Sequence, residues 1–214
     1  MTVGGALREA LVDGYQQSWR LVLLNSGLAA AALGVLVAAS YVQPALLLLL
    51  LLVGPLAAAL QHCAVVLVRT DELRLRDALE GLRRHWRRGV ELALVAAATF
   101  GLGIYALVFY ARADPVTWPL AALVVYLLAL FAALQLLLWP LAVAYPERPL
   151  RAVALESLTT AARRPFALPG LALALLVVNS LGAVAVLPVL TMTVAYTALA
   201  AAHFALPSRP TPEA

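Results

Sequence analysis

Five uninterrupted apolar stretches divide this chain: Leu21–Ser40, Pro44–Val68, Val90–Ala111, Val116–Ala144 and Leu168–Leu206. An α-helix rises about 1.5 Å per residue, so about 20 apolar residues cross a hydrocarbon core about 30 Å thick. Every stretch reaches that length. The last would extend about 58 Å as one helix, a mismatch too large for tilt alone. Pro188 lacks a backbone donor and disfavours helical geometry at Leu187, so it predicts a cut into two helices of about 18 residues. The pattern predicts an all-α, polytopic transmembrane helix bundle of six spans, with five as the alternative if that cut is not made.

The charges give the bundle a direction. All fifteen basic residues are arginine, and the net charge is +4. Arg8 and Arg20 precede the first span. Arg69, Arg74, Arg76, Arg83, Arg84, Arg87 and Arg88 follow the second. Arg148, Arg151, Arg163 and Arg164 follow the fourth, and Arg209 lies in the tail. Only Arg112 lies in an alternate loop, beside Asp114. Arginine excess marks cytoplasmic loops, so the amino terminus is predicted cytoplasmic and the basicity is topological, with no nucleic-acid partner. Residues 1–214 read as one membrane domain. It has a cytoplasmic N-terminal segment 1–20, cytoplasmic loops 69–89 and 146–165, and a tail 207–214. Val37-Ala38-Ala39 before Ser40 loosely fits a signal-peptide cleavage site. The apolar run before it is longer than the roughly 7–15 residues of a signal core, so Leu21–Ser40 is read as a retained span.

Both long loops predict amphipathic helices. Leu75, Leu79, Leu82 and Trp86 recur at helical spacing in the first, which Asp71 and Glu72 begin and Arg87 and Arg88 end before a glycine stop at Gly89. Leu150, Ala154, Leu158 and Ala161 form the stripe of the second, which Pro165 ends. Such faces suit a membrane surface, with Arg83, Arg84, Arg87, Arg88, Arg163 and Arg164 as candidate contacts for anionic headgroups or a partner. The two loops also share a pattern. Ala78-Leu79-Glu80-Gly81-Leu82 before Arg87-Arg88 matches Ala154-Leu155-Glu156-Ser157-Leu158 before Arg163-Arg164, which predicts an internal repeat with Pro44, Pro115 and Pro188 at its outer turns.

No catalytic constellation is visible, and neither a cofactor nor a metal is expected. The single cysteine, Cys63, excludes an intramolecular disulfide and a cysteine metal cluster and reads as a small core residue. His62, His85 and His203 are scattered, with no pair at helical metal-site spacing. No acidic residue lies mid-span, which argues against a coupled pump. What remains at membrane depth is Asn25, Gln61, His62, Gln135, Asn179 and His203. They are candidate interhelical contacts, worth about 0.6 kcal/mol each. The alternative is that they line a path for a small solute.

Gly54-Pro55-Leu56-Ala57-Ala58-Ala59-Leu60, then Arg69, an acidic turn and Ala78-Leu79-Glu80-Gly81-Leu82-Arg83-Arg84-His85-Trp86-Arg87 together resemble the YesL-like family of small bacterial membrane proteins. The Pro140-Leu141 helix end and Arg163-Arg164-Pro165 are similar too. The family is of unknown molecular function and often linked with carbohydrate uptake. The resemblance implies a protein of the bacterial inner membrane in that context; with no catalytic motif the chain reads as non-enzymatic, its partner an importer subunit or a second copy of itself. It supplies no site residues.

Overall fold

A computed structural model describes residues 2–17, 19–23, 25–27, 30, 34, 37, 45–112, 115–185 and 192–206. Every regular element among them is helical: α1 Val3–Gln16, α2 Ala45–Thr70, α3 Leu75–Arg112, a 3-10 turn Pro115–Thr117, α4 Trp118–Ala144, α5 Leu150–Arg163, α6 Ala167–Ala185 and α7 Val194–Ala205. Three helices are long and apolar enough to cross a bilayer: α2 over Leu52–Thr70, α3, and α4. A fourth, broken span would join α5 to α6, which meet at 98°. α7 is apolar and 12 residues long. The chain is a helical membrane bundle. The predicted span Leu21–Ser40 falls mostly outside the described residues, as do the Pro44 and Pro188 turns and the 207–214 tail.

Among the described glycines, the tightest contact with another helix's backbone joins α2 to α3. A Cβ on Gly54 would stand 2.5 Å from the Gly89 carbonyl oxygen, and one on Gly89 would stand 2.6 Å from the Gly54 carbonyl oxygen. Only two glycines bring helix backbones this near, the small-residue packing that replaces the hydrophobic effect between helices in lipid. Farther along, Gly81 lies against the His62 ring. Residue numbers rise in one helix as they fall in the other, so the pair is antiparallel. α4 pairs antiparallel with α3 in turn, through Gly103 against Leu128 and Phe100 edge-on to Phe131 at 5.3 Å.

This packing corrects the reading of 69–89. The predicted stop at Gly89 does not occur, because no described glycine adopts the positive φ that a helix stop uses. α3 instead runs unbroken for 38 residues, from the arginine-rich segment through the apolar one. Nor do Asp71 and Glu72 begin it. They lie in the connecting turn, with Asp71 at φ 59°, and Asp77 accepts the Arg74 N–H at 2.7 Å at the helix start. The predicted apolar stripe is not the face that packs on the bundle. Leu79 is 65% and Trp86 50% exposed, while Gly81, His85, Gly89, Leu92 and Ala93 are buried. Small residues occupy the close contact, and large ones are displaced outward to where lipid can cover them. In α5 the fully buried residues are Val153 and Ser157, while of the predicted stripe Leu150, Ala154 and Ala161 pack partly buried against the core and Leu158 is exposed.

The two copies of the sequence repeat also part here. After Arg88 the helix continues through Gly89. After Arg164 the chain turns at Pro165, whose missing donor ends α5, and α6 departs sharply. Similar sequences therefore lead into one straight rod and one corner.

The apolar halves of α3 and α4 carry little covering protein. Of their most apolar windows 6% and 11% are buried, against 56% for α2, as suits helices solvated by lipid. Below them, the core gathers the second half of α2, the end of α4, α6, α7 and α1. α1 turns Ala6, Ala10 and Gly14 inward against α7.

Replacing Gly89 by alanine should lower thermal stability by about 1–3 kcal/mol, because backbone rather than a movable side chain meets the new methyl. Gly101→Ala in the same helix meets nothing within 4 Å. It should raise stability by about 0.5–1 kcal/mol through helix propensity. Equal effects of the two variants on the thermal midpoint in detergent would refute the tight crossing.

Candidate functional site

Side chains converge where α2 ends and α3 begins. Arg20 donates to the Leu73 carbonyl, tying the N-terminal segment to the α2–α3 turn. Arg88 donates to the Arg148 carbonyl and to Glu91 Oε2 at 3.3 Å, joining the two arginine-rich segments. Arg148 pairs with Glu156 at 2.6 Å and lies 4.4 Å from the Tyr145 ring centre, and Arg69 approaches the same ring at 5.9 Å. Arg164 stands over Phe204 at 6.0 Å. One end of the bundle thus collects the arginines from segments far apart in sequence.

The six predicted arginine contacts divide. Arg83, Arg84, Arg87 and Arg163 are exposed, and Arg87 also lies over Trp86 at 5.3 Å. Arg164 is exposed beside Phe204. Arg88 differs: its side chain is 13% exposed and is held by Arg148 and Glu91. It serves as a strut between segments. Sequence gave no sign of this, because its acceptor is a backbone carbonyl 60 residues away.

The polar residues in the spans have separate surroundings. Asn179 donates to the Leu175 carbonyl and to Thr197 Oγ1, both at 2.8 Å, and so links α6 to α7. Gln135 accepts from Trp139 Nε1 at 2.9 Å, within its own helix. Asn25 is buried in a helical turn, and Gln61 is half-buried on α2. His203 makes the strongest arrangement. Its Nε2 lies 2.9 Å from Asp13 Oδ2 and its Nδ1 3.3 Å from Glu9 Oε2, so both ring nitrogens face carboxylates of α1. Tyr196 adds a bond from its hydroxyl to the Leu7 carbonyl at 3.1 Å. Glu9 and Asp13 escaped the sequence reading, although their four-residue spacing places both on one helix face.

His62 and His85 meet across the α2–α3 hairpin, with ring centres 5.0 Å apart. His85 is 2% exposed, and neither of its nitrogens has a hydrogen-bond partner among the described residues. No group of three or more potential metal ligands occurs among those residues. Cys63, the neighbour of His62, is buried, as a small core residue should be.

No protein-family model, no curated protein and no solved structure matches the chain.

Magnitudes separate the two interhelical contacts. Asn179→Leu should cost about 0.6 kcal/mol, the usual worth of a hydrogen bond between membrane helices. His203→Leu leaves Asp13, whose side chain is 17% exposed, without its ring partner. That change should cost about 1.5–3 kcal/mol. Thermal unfolding of both variants in one detergent checks the order, and an equal or reversed ranking would refute it.

Proposed function

We propose that the protein is a non-enzymatic, six-span protein of the bacterial inner membrane, both termini cytoplasmic, that serves as an accessory to a carbohydrate uptake system. The observation that carries the topology is the gathering of the arginine-bearing segments. Arg20, Arg88 and His203 tie the N-terminal segment, both long loops and the end of α7 together. Segments linked in this way lie on one side of the membrane, and arginine excess makes that side cytoplasmic. The bond between Asn179 and Thr197, 18 residues apart, needs α6 and α7 to lie side by side, and this supports the sixth span. The carbohydrate-uptake context, and the importer subunit or second copy as partner, rest on the resemblance to the YesL-like family.

The accessory reading is favoured over a solute path by what the polar residues do. Asn179, Gln135 and His203 are each engaged by Thr197, Trp139 and the α1 carboxylates respectively. A groove between α1 and α7 is apolar, lined by Leu11, Tyr15, Leu21, Met192 and Tyr196 among others. A solute path needs polar groups turned toward a common cavity. In proteoliposomes, sugar uptake by the protein alone would overturn the accessory reading. Co-purification of an importer subunit from native membranes, identified by mass spectrometry, is the expected result.

The exposed arginines carry the lipid part of the reading. Arg83, Arg84 and Arg87 engage anionic headgroups, each contributing about 1 kcal/mol near a charged surface. Their joint replacement by glutamine should reduce anionic lipid retained in native mass spectrometry and leave the thermal midpoint nearly unchanged. Arg88→Gln should do the reverse, since Arg88 is a strut. A reporter fused after Ala214 tests the side of the membrane. Activity there that requires export from the cytoplasm would restore five spans.

A further inference from the structure

We propose that His62 and His85 form a binding site for a borderline transition-metal ion such as Zn²⁺, bridging α2 and α3 between the Gly54–Gly89 crossing and the turn of their hairpin. Three observations carry it.

The first is the separation of the rings. Zinc binds imidazole nitrogen at about 2.0–2.1 Å, so with a ring radius of about 1.1 Å two imidazoles meeting at a tetrahedral angle hold their centres about 5 Å apart. The observed distance is 5.0 Å. A linear two-imidazole arrangement would need about 6 Å by the same lengths, which favours a tetrahedral ion.

The second is the burial of His85. Polar groups removed from water take partners, and exceptions call for a reason, an ion among them. His85 has two nitrogens without a protein partner, although it is almost wholly buried. Asn179 and His203 find partners across helices, whereas Gln61 Oε1 and Gln135 Nε2 are buried without one; only His85 leaves both of its polar atoms so among the described residues. His62 is less buried than His85 and gives an ion a route in from the surface.

The third is the room made for the pair. Gly81 precedes His85 by one turn, and a Cβ there would stand 2.8 Å from His62 Cβ and 2.9 Å from its Cδ2. α3 thus presents a gap and then an imidazole to the same histidine of α2. The small contact face of α3 serves this juxtaposition as well as the helix crossing. Imidazole suits zinc, copper and nickel. With no third protein ligand in place, water fills the remaining positions, which makes the ion exchangeable and the affinity modest.

The test uses the full-length protein in detergent, stripped with a chelator and titrated with Zn²⁺ and with Co²⁺, whose visible spectrum reports tetrahedral coordination. The expected result is one equivalent bound per chain, a tetrahedral cobalt spectrum and a thermal midpoint that rises with ion concentration. His62→Ala and His85→Leu should each abolish the spectrum and the thermal shift. His85→Leu fills the same buried place with an apolar side chain, so it should remain folded even if His62→Ala does not. His203→Gln should leave binding intact. Retained stoichiometric binding in the folded His85→Leu variant overturns the proposal. So does loss of binding in His203→Gln, or a wild-type protein that binds neither ion.

Discussion

The contact of Gly54 with Gly89 sets the spacing on which the other interactions depend. Helices whose backbones touch leave no room for large side chains at the crossing itself, although Leu92, about one turn on, is buried beside it. That explains why Leu79 and Trp86 point away from the bundle while Gly81 and His85 point into it. It also brings His62 against α3, since a wider hairpin would part the two rings. In water such a seam would bury too little apolar surface to be useful. In lipid, where apolar side chains gain nothing by leaving solvent, close van der Waals contact is the available attraction.

A second layer of interaction works at the end of the bundle, where charge replaces close packing. Arg88, Arg148 and Arg20 each reach a carbonyl or a carboxylate in another segment, and His203 reaches two carboxylates of α1. Charge is costly inside hydrocarbon, which suits bonds of this kind to the end of a bundle. They hold the N-terminal helix and the loops in place without requiring a large soluble domain. Proline and glycine then decide the course of the chain at two similar sites. Pro165 forces a corner between α5 and α6, whereas Gly89 is absorbed within a continuous helix because its lack of a side chain is used by α2.

Much of the architecture was legible from residue patterns because length and apolarity dominate helix placement in membranes. The stretch Val116–Ala144 is nearly coincident with α4, and Pro44–Val68 with α2. The reading failed where a residue type has two uses. A glycine after two arginines matches a helix stop, and only the partner helix reveals that Gly89 serves close approach instead. Amphipathic periodicity located a helical segment in 75–88 but assigned its packed face by hydrophobicity. At a close helix contact, size governs. The pairings His62–His85, Arg88–Arg148 and His203–Asp13 were beyond reach for a simpler reason. Each joins segments distant in sequence, the last separated by 190 positions, and no local pattern encodes them.

The continuity of α3 has a mechanical consequence. From Leu75 to Gly89 the helix measures about 21 Å, and from Gly89 to Arg112 about 35 Å, at 1.5 Å per residue. The short arm packs on α2 at both Gly81 and Gly89, so the long arm is a rigid extension of that pair. A tilt of the pair carries the far tip of α3 with it, through an arm about 35 Å long. Whatever grips the arginine-bearing arm also steers the far end of the apolar arm, with no hinge between the two to absorb the motion.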